Sequence, residues 1–183
     1  LITASFLKGF YYKPRIDLEL LRAHAEGLVA LSGCLKGAVP GLFAEERDED
    51  AIRFAENLAS IFHGDRFYLE IMNHGLPLQQ KINEKLVALS RQKGWPLVAT
   101  NDVHYLSRED APAHDALLCI QTGKVISDEK RLKMACDEFY FKSPEEMTKR
   151  FEAYPEALSN TVELSKHLNL ELWKNGIKNP PHH

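Results

Sequence analysis

The sequence is short of cysteine, of long apolar runs and of surplus basic charge. Three cysteines in 183 residues do not indicate a disulfide framework, and they favour a protein of the reducing cytoplasm. No apolar run approaches the about 20 residues that a transmembrane helix needs, and the first residues lack the layout of a secretion signal. The net charge of −3 is not the basic surplus typical of a DNA-binding module. These absences predict a cytoplasmic protein with no membrane partner, whose contribution to DNA, if any, is indirect.

Motifs for several enzyme classes are also missing. The glycines around Cys34 lack the spacing and the Ser/Thr partner of a phosphate-binding loop. No serine lies in a recognisable nucleophile elbow. No strand carries the paired aspartates that two-metal phosphoryl transfer needs. The sequence therefore argues against phosphate-loop binding, serine-nucleophile catalysis and two-metal phosphoryl transfer by this chain.

Both ends suggest a piece of a longer protein. Leu1 opens inside what reads as a helix, and His182 and His183 follow two prolines. We interpret residues 179–183 as the remnant of a tag and exclude its histidines from metal-site arguments.

Helices and strands alternate through the first two-thirds of the chain. The apolar periodicity predicts three strands at residues 28–31, 66–71 and 96–100. It predicts three helices at residues 18–25, 51–62 and 77–93, the first capped by Asp17 and the last ended by Gly94. This order is typical of a parallel sheet with helices packed on it.

The last third is mainly helical. A helix is expected from Ser107 to about residue 120, followed by a short strand-like run at 139–141. Ser143 and Glu146 form a capping-box pattern that opens a helix to about residue 152. A further helix is expected at 156–168.

Side chains able to bind metal follow each predicted strand. Cys34 follows the first strand, Glu70 and His74 lie on or after the second, and Asp102 and His104 follow the third. Active groups gather at the carboxyl ends of parallel strands. Residues two apart in an extended segment face the same side, so Asp102 and His104 can face one ion. A carboxylate and an imidazole suit zinc, manganese or iron, and a thiolate favours zinc.

Each of these residues also has a structural interpretation. Asp102 can cap the following turn, and His104 can be a hydrogen-bonded core residue. Cys34 can be a small buried hydrophobe, Glu70 can form a salt bridge with a neighbouring Arg or Lys, and His74 can hold a turn. The spacing alone leaves these alternatives open.

The segment 10–15, Phe-Tyr-Tyr-Lys-Pro-Arg, is both aromatic and basic. Such a segment can stack and pair with a nucleic-acid strand. Because no wider basic surface accompanies it, we expect its rings to pack on the body of the domain instead.

Motifs spread over nearly the whole chain resemble one family. They are GFYYKPRID (9–17), LSGCLKG (31–37), YLEI and HGLP (68–71, 74–77), ATNDVHY (99–105), HDALLCIQTGK (114–124), EFY (138–140), SPEEM (143–147) and PEALSNT (155–161). In this order and spacing they resemble the PHP (polymerase and histidinol phosphatase) domain of bacterial DNA polymerase III alpha subunits.

The resemblance implies a fold and a domain division. It implies an α/β fold, part of a distorted seven-stranded, TIM-like βα barrel, with residues 1–142 as the later part of the PHP domain. Residues 143–178 would be a helical connection towards the polymerase palm. The family's opening His-x-His motif and first strands would precede Leu1.

The resemblance also implies a metal site and its ligands. Cys34, Asp102 and His104 occupy ligand positions, for zinc or manganese, whereas Glu70 and His74 line the same rim without an assigned ligand position. With so few ligands left, we expect this chain alone to bind metal weakly or not at all. Magnesium would act at the polymerase site outside this chain.

Two functions follow as expectations. The first is a segment of the replicative DNA-directed DNA polymerase, a nucleotidyltransferase. Here the segment acts as scaffold and docks the proofreading exonuclease subunit and other replicase subunits, with DNA bound through the intact polymerase. The alternative is a metal-dependent PHP phosphoesterase, histidinol-phosphatase-like or proofreading. The segment 114–161 favours the first, because a small phosphatase has no need of it.

Overall fold

The computed structural model describes residues 1–63 and 65–170. At its centre is a parallel sheet of strands β1 (Ala30–Leu31), β2 (Phe67–Met72) and β3 (Leu97–Thr100), in the order β1-β2-β3. Ala30 pairs with Phe67 across the first ladder. The predicted parallel α/β arrangement is confirmed, although β1 is shorter than the predicted 28–31.

The central strand is buried on both faces. Phe67, Leu69 and Ile71 have no exposed surface, and Leu69 pairs with Leu97 of β3. Helices cover parallel sheets on both sides, so their strands read as nearly continuous apolar runs. The same apolarity made β2 and β3 recognisable in the sequence.

Eight α-helices lie within the described residues. They are α1 (Ile2–Lys8), α2 (Leu18–Ala23), α3 (Ala38–Ala44), α4 (Asp48–Ile61), α5 (Pro77–Lys93), α6 (Ala111–Thr122), α7 (Pro144–Arg150) and α8 (Pro155–His167). No helix along the described ranges is both long and apolar enough to cross a bilayer.

Local signals set several helix ends where the sequence predicts them. α5 has the predicted bounds, with Pro77 in its first turn and Gly94 in the left-handed conformation after its end. The side chain of Asp17 accepts a hydrogen bond from the backbone of Leu20 at 2.7 Å and so caps α2. Ser143 and Glu146 form the predicted capping box of α7.

Other boundaries differ from the prediction. α2 ends at Ala23, two residues before the predicted end, and α7 ends at Arg150 instead of about 152. A 3₁₀ turn over Arg108–Asp110 precedes α6, where we expected one helix from Ser107. The predicted strand-like run at 139–141 forms only an isolated bridge, which joins Tyr140 to Tyr105.

No pattern in the sequence predicted α3. Its Pro40 and Gly41 argue against a helix, yet a proline in the first turn lacks only an amide that has no intrahelical partner there. Val39 and Phe43, one turn apart, are buried in the core. Tertiary packing thus stabilises a helix that local propensity disfavours.

α8 covers the outer edge of the sheet. The side chain of Asn160 donates to the carbonyl of Leu97 at 2.8 Å, and the hydroxyl of Thr161 donates to the carbonyl of Ala99 at 2.9 Å. A covered edge cannot pair with a foreign strand. The described residues contribute three strands, so the predicted seven-stranded barrel would need strands from outside them. The predicted tag remnant at 179–183 and part of the predicted helical connection, 171–178, lie outside the described residues.

The expected packing of the N-terminal rings is wrong. Phe10 is 58% exposed, Tyr11 67% and Tyr12 82%. The segment that carries them forms a loop between α1 and α2 whose rings face solvent.

Candidate functional site

The ends of the three strands carry the predicted site, which we call the strand-end rim: Cys34, Glu70, His74, Asp102 and His104. The predicted meeting of the last two is found, since Asp102 Oδ1 lies 3.3 Å from His104 Nε2. Their side chains are 37% and 38% exposed, so this pair can be reached from solvent. The rim thus presents one carboxylate and one imidazole side by side.

Asp102 is held in an unusual backbone conformation. Its φ is +46°, in the left-handed region, which costs a non-glycine residue on the order of 1–2 kcal/mol. The preceding residue, Asn101, is fixed by its surroundings. Its side-chain amide donates to the carbonyl of Tyr140 at 2.6 Å, and its amide oxygen accepts from Lys142 Nζ at 3.2 Å. Its backbone carbonyl accepts from His74 at 2.8 Å. These contacts pin the backbone that presents Asp102.

The backbone and ring of His104 are also held in place. Its amide donates to the carbonyl of Phe139 at 2.8 Å, and its ring meets the Phe139 ring edge-to-face at 5.6 Å. On another side, the ring of His114 lies 5.4 Å away. His114 Nδ1 is buried without a hydrogen-bond partner among the described residues.

His74 lies behind the exposed pair and is only 2% exposed. The carbonyl of Asn101 can only accept, so His74 Nε2 carries the proton of that 2.8 Å bond. The amide nitrogen of Gln79, at 3.0 Å, then donates to Nδ1. These partners assign a neutral ring, and burial lowers the pKa of His74 below its ordinary value. Both ring nitrogens are engaged, so this conformation leaves neither for a metal.

Glu70 ties the three strands together. Its carboxylate accepts from the backbone amide of Gly33 at 3.1 Å, beyond β1, and from the hydroxyl of Thr100 at the end of β3. Its own amide donates to Ser32 Oγ at 2.8 Å. Glu70 is 8% exposed, and its partners are polar groups of the neighbouring strand ends instead of the Arg or Lys that a salt bridge would need.

Cys34 lies apart from the exposed pair. It is partly buried and lines a cavity of about 10 Å³ together with Glu70, which is about the room that one water needs. Within residues 1–63 and 65–170, no three His, Cys, Asp or Glu side chains are grouped so that they could hold a metal ion. The structure therefore brings together Asp102 and His104 but not the whole predicted ligand set.

Sequence reasoning missed a network of charges beside the rim. The carboxylate of Glu138 contacts Arg108, Arg150 and Lys142, the last at 3.4 Å. The Lys142 side chain is fully buried, and its Nζ lies 4.1 Å from the centre of the Tyr140 ring. Burial lowers the pKa of Lys142, opposed by the nearby Glu138. No local pattern marks a lysine for burial, because its partners come from elsewhere in the fold.

The chemistry of the rim is that of an incomplete metal site. An imidazole and a carboxylate fit one edge of a zinc or manganese coordination sphere. Zinc sites use at least three protein ligands, and the described residues supply two that are close together. The two side chains alone therefore do not make a complete metal site.

The sequence of the chain is similar to those of known proteins. Residues 1–74 match the PHP domain family. The chain is 48% identical over 176 residues to the DNA polymerase III subunit alpha of Thermus aquaticus, covering 94% of this chain and 14% of that protein. It is 48% identical over 166 residues to the subunit of Borreliella burgdorferi, covering 91% and 14%. It is 42% identical over 192 residues to that of Helicobacter pylori strain J99, covering 99% and 16%.

The similarity covers most of this chain but little of each relative. The chain spans about one-seventh of the length of the curated relatives named above. The resemblance predicted from the sequence motifs is confirmed by these matches.

Proposed function

We propose a scaffolding and docking role, from the premise that this chain is a PHP-domain segment homologous along most of its length to a segment of DNA polymerase III alpha subunits. In this role the segment supports the polymerase domain of a longer DNA-directed DNA polymerase and docks the proofreading exonuclease and other replicase subunits. The observation that carries the proposal is the similarity over 94% of the chain at 48% identity. Polymerase chemistry, with its magnesium, would lie outside this segment, and DNA would be bound through the intact polymerase.

The structure supports a scaffolding role through its rigid connections. Residues 1–142 would belong to the PHP domain and residues 143–178 to the connection towards the palm. α8 of that connection is bonded to the edge of β3 by Asn160 and Thr161, and Ala157 of α8 is fully buried. The connection is therefore hydrogen-bonded to the strand whose end carries part of the strand-end rim. Further strands of the longer protein would complete the seven-stranded barrel.

The exposed pair would supply part of the metal site in that longer protein. Asp102 and His104 would hold one edge of a zinc or manganese ion, and Cys34 would complete it after a local rearrangement or together with ligands from other segments. A bound divalent metal supplies a water nucleophile for phosphoester hydrolysis. This chain's own residues would orient the ion: Asn101 and His74 fix the backbone that presents Asp102.

A second candidate function, a metal-dependent PHP phosphoesterase of the histidinol-phosphatase or proofreading type, is favoured by the same pair. Its solvent exposure and close approach would suit a ligand edge in an open site. The segment 114–161 argues for the polymerase-linked role, since α8 and the charge network of Glu138 integrate it into the same core.

The metal content of the longer subunit tests the phosphoesterase function. We would measure bound zinc and manganese by elemental analysis in the parent protein and in its Asp102→Ala/His104→Ala variant. The control is His63→Ala/Asp65→Ala, a pair with the same spacing that is exposed elsewhere on the surface. Loss of metal in the first variant alone, accompanied by loss of phosphoester hydrolysis, would support the phosphoesterase.

The docking role is tested by binding and not by metal content. It requires stable co-elution of the parent subunit with the exonuclease subunit in size-exclusion chromatography, for the parent protein and for its Asp102→Ala/His104→Ala variant alike. Failure of the parent subunit to retain the exonuclease would contradict the docking proposal.

A further inference from the structure

The loop between α1 and α2 presents three aromatic rings to solvent. We call residues 8–15 the aromatic arm. Phe10, Tyr11 and Tyr12 are each more than half exposed, although aromatic side chains usually bury their large apolar faces. Exposed aromatic rings close together in sequence mark an interaction surface more often than an exposed single residue does.

The arm is an ordered loop. A Cβ on Gly9 would lie 2.0 Å from the carbonyl oxygen of Arg15, so only glycine allows the loop to close there. Tyr11 and Lys13 exchange two backbone hydrogen bonds, at 3.2 and 2.7 Å, around Tyr12. Tyr12 adopts a φ of +57°, a conformation that costs a bulky residue energy. The fold therefore holds the most exposed ring outward in a strained conformation.

The rings are arranged as a platform. The Tyr11 and Tyr12 rings meet edge-to-face, with centroids 4.6 Å apart. The Arg15 guanidinium lies 5.7 Å from the centre of the Tyr11 ring and donates to the Tyr11 carbonyl at 2.7 Å. The Tyr12 ring, 82% exposed, is left open for a flat partner.

The arm itself carries positive charge, although Asp17 and Glu19 line the same cavity as Lys8 and Arg15. Residues 1–16 contain Lys8, Lys13 and Arg15 and no Asp or Glu, in a chain whose overall net charge is −3. None of these three cations forms an ion pair with a carboxylate of residues 1–63 or 65–170. The next acidic side chain, Asp17, is engaged as the cap of α2. The cations thus remain available for an anionic partner.

We propose that the aromatic arm binds single-stranded nucleic acid. Unpaired bases would stack on the Tyr12 ring and its neighbours, and the phosphates would lie against Lys8, Lys13 and Arg15. Aromatic rings interleaved with basic side chains are the features of sequence-tolerant single-strand sites. A duplex hides the faces of its bases, so it would gain only the charge contacts. The proposal is independent of the strand-end rim and of any metal.

Fluorescence anisotropy with labelled oligonucleotides tests the proposal on the 183-residue chain. The probes are single-stranded oligo(dT) and oligo(rU) of about 15 nucleotides, and a duplex of equal length. Tyr12→Ala should weaken oligo(dT) binding by roughly 5- to 100-fold, the effect of losing one stacked base. Phe141→Ala, which removes another exposed ring (68% exposed) outside the arm, is the matched control and should leave binding unchanged.

The salt dependence separates charge from stacking. Three phosphate contacts predict a slope of log Kobs against log salt of about −2 for a single strand, and Lys13→Ala should reduce its size by about 0.7. Lys149→Ala, an exposed lysine of α7, should leave the slope unchanged. Tighter binding of oligo(dT) or of oligo(rU) would identify DNA or RNA as the better ligand.

No binding of either single strand at low salt would overturn the proposal. An equal effect of Tyr12→Ala and Phe141→Ala would also overturn it, as would binding of the duplex as tight as that of the single strands. The absence of oligonucleotide binding could be accompanied by a sedimentation shift on Tyr12→Ala. This last result would assign the arm, with the exposed Ile2 and Leu7 of α1, to a protein contact.

Discussion

Replacing Lys142 by methionine should destabilise the fold by about 1–2 kcal/mol. Methionine keeps a stem of nearly the same length and removes only the ammonium group. The Asn101 amide oxygen, 3.2 Å from Nζ, and the Glu138 backbone carbonyl then lose their donor. A buried polar group left without its partner costs about 1–3 kcal/mol. Glu138 keeps two arginine partners, and the penalty for burying the lysine charge disappears, so the net effect lies at the low end.

A second variant separates the charge from the packing. Lys142→Ala also removes three heavy atoms of the fully buried stem, each worth about 0.8 kcal/mol. We therefore expect Lys142→Ala to be about 2 kcal/mol less stable than Lys142→Met. Because Lys142 fixes Asn101, both variants should also speed amide hydrogen exchange around Asp102.

Urea unfolding followed by circular dichroism measures both free energies of unfolding. The control is Lys149→Met in α7, where the lysine is exposed and methionine has a similar helix propensity; it should change stability by less than about 0.5 kcal/mol. A Lys142→Met variant as stable as the control would refute the reasoning. So would Lys142→Ala and Lys142→Met variants of equal stability, since the buried stem would then contribute nothing.

Two further predictions concern the stability of the fold. Two short hydrogen bonds from Arg131, of 2.6 and 2.7 Å, hold the pKa of Asp115 below its ordinary value of 3.8. The stabilisation is therefore present above pH 3.8 and is lost as the pH falls through the folded-state pKa. Asp115→Asn should lower urea stability by a constant amount from pH 7 to pH 4.5 and by less in more acidic buffer; an equal loss at all pH values would count against the ion pair. Gly94 has a φ of +72° with open space where a Cβ would go, so Gly94→Ala should cost about 1 kcal/mol in thermal unfolding. Gly94→Asn should cost less, because asparagine tolerates this conformation, and the reverse order would contradict the cap.

The sequence patterns predicted the elements whose signals are local. α5 begins and ends where proline and glycine place its ends, and α7 begins at its capping box. β2 and β3 were found because a strand covered on both faces is nearly continuously apolar. α3 was missed because Pro40 and Gly41 disfavour a helix locally. The helix is stabilised instead by the burial of Val39 and Phe43 in the core.

In the candidate site too, local patterns predicted some features and missed those that depend on distant residues. The spacing of Asp102 and His104 predicted that they can face one ion, on the assumption of an extended segment. The two side chains do meet, but Asp102 has a φ of +46° and is not extended. The partners of Glu70 come from 30 and 37 residues away in the chain, and no local pattern can show them. The exposure of the aromatic arm was also misjudged, because the sequence does not show which surface a loop will face.

The sequence by itself predicted the family resemblance, the three strands and most of the helices, because each rests on motif spacing, periodicity or capping. Tertiary structure alone decided that His74 is neutral and enclosed, and that Lys142 is buried. It also decided that α8 covers the edge of β3. These features depend on burial and on hydrogen bonds between residues 5 to 63 positions apart in the sequence. Such contacts exist only once the chain has folded.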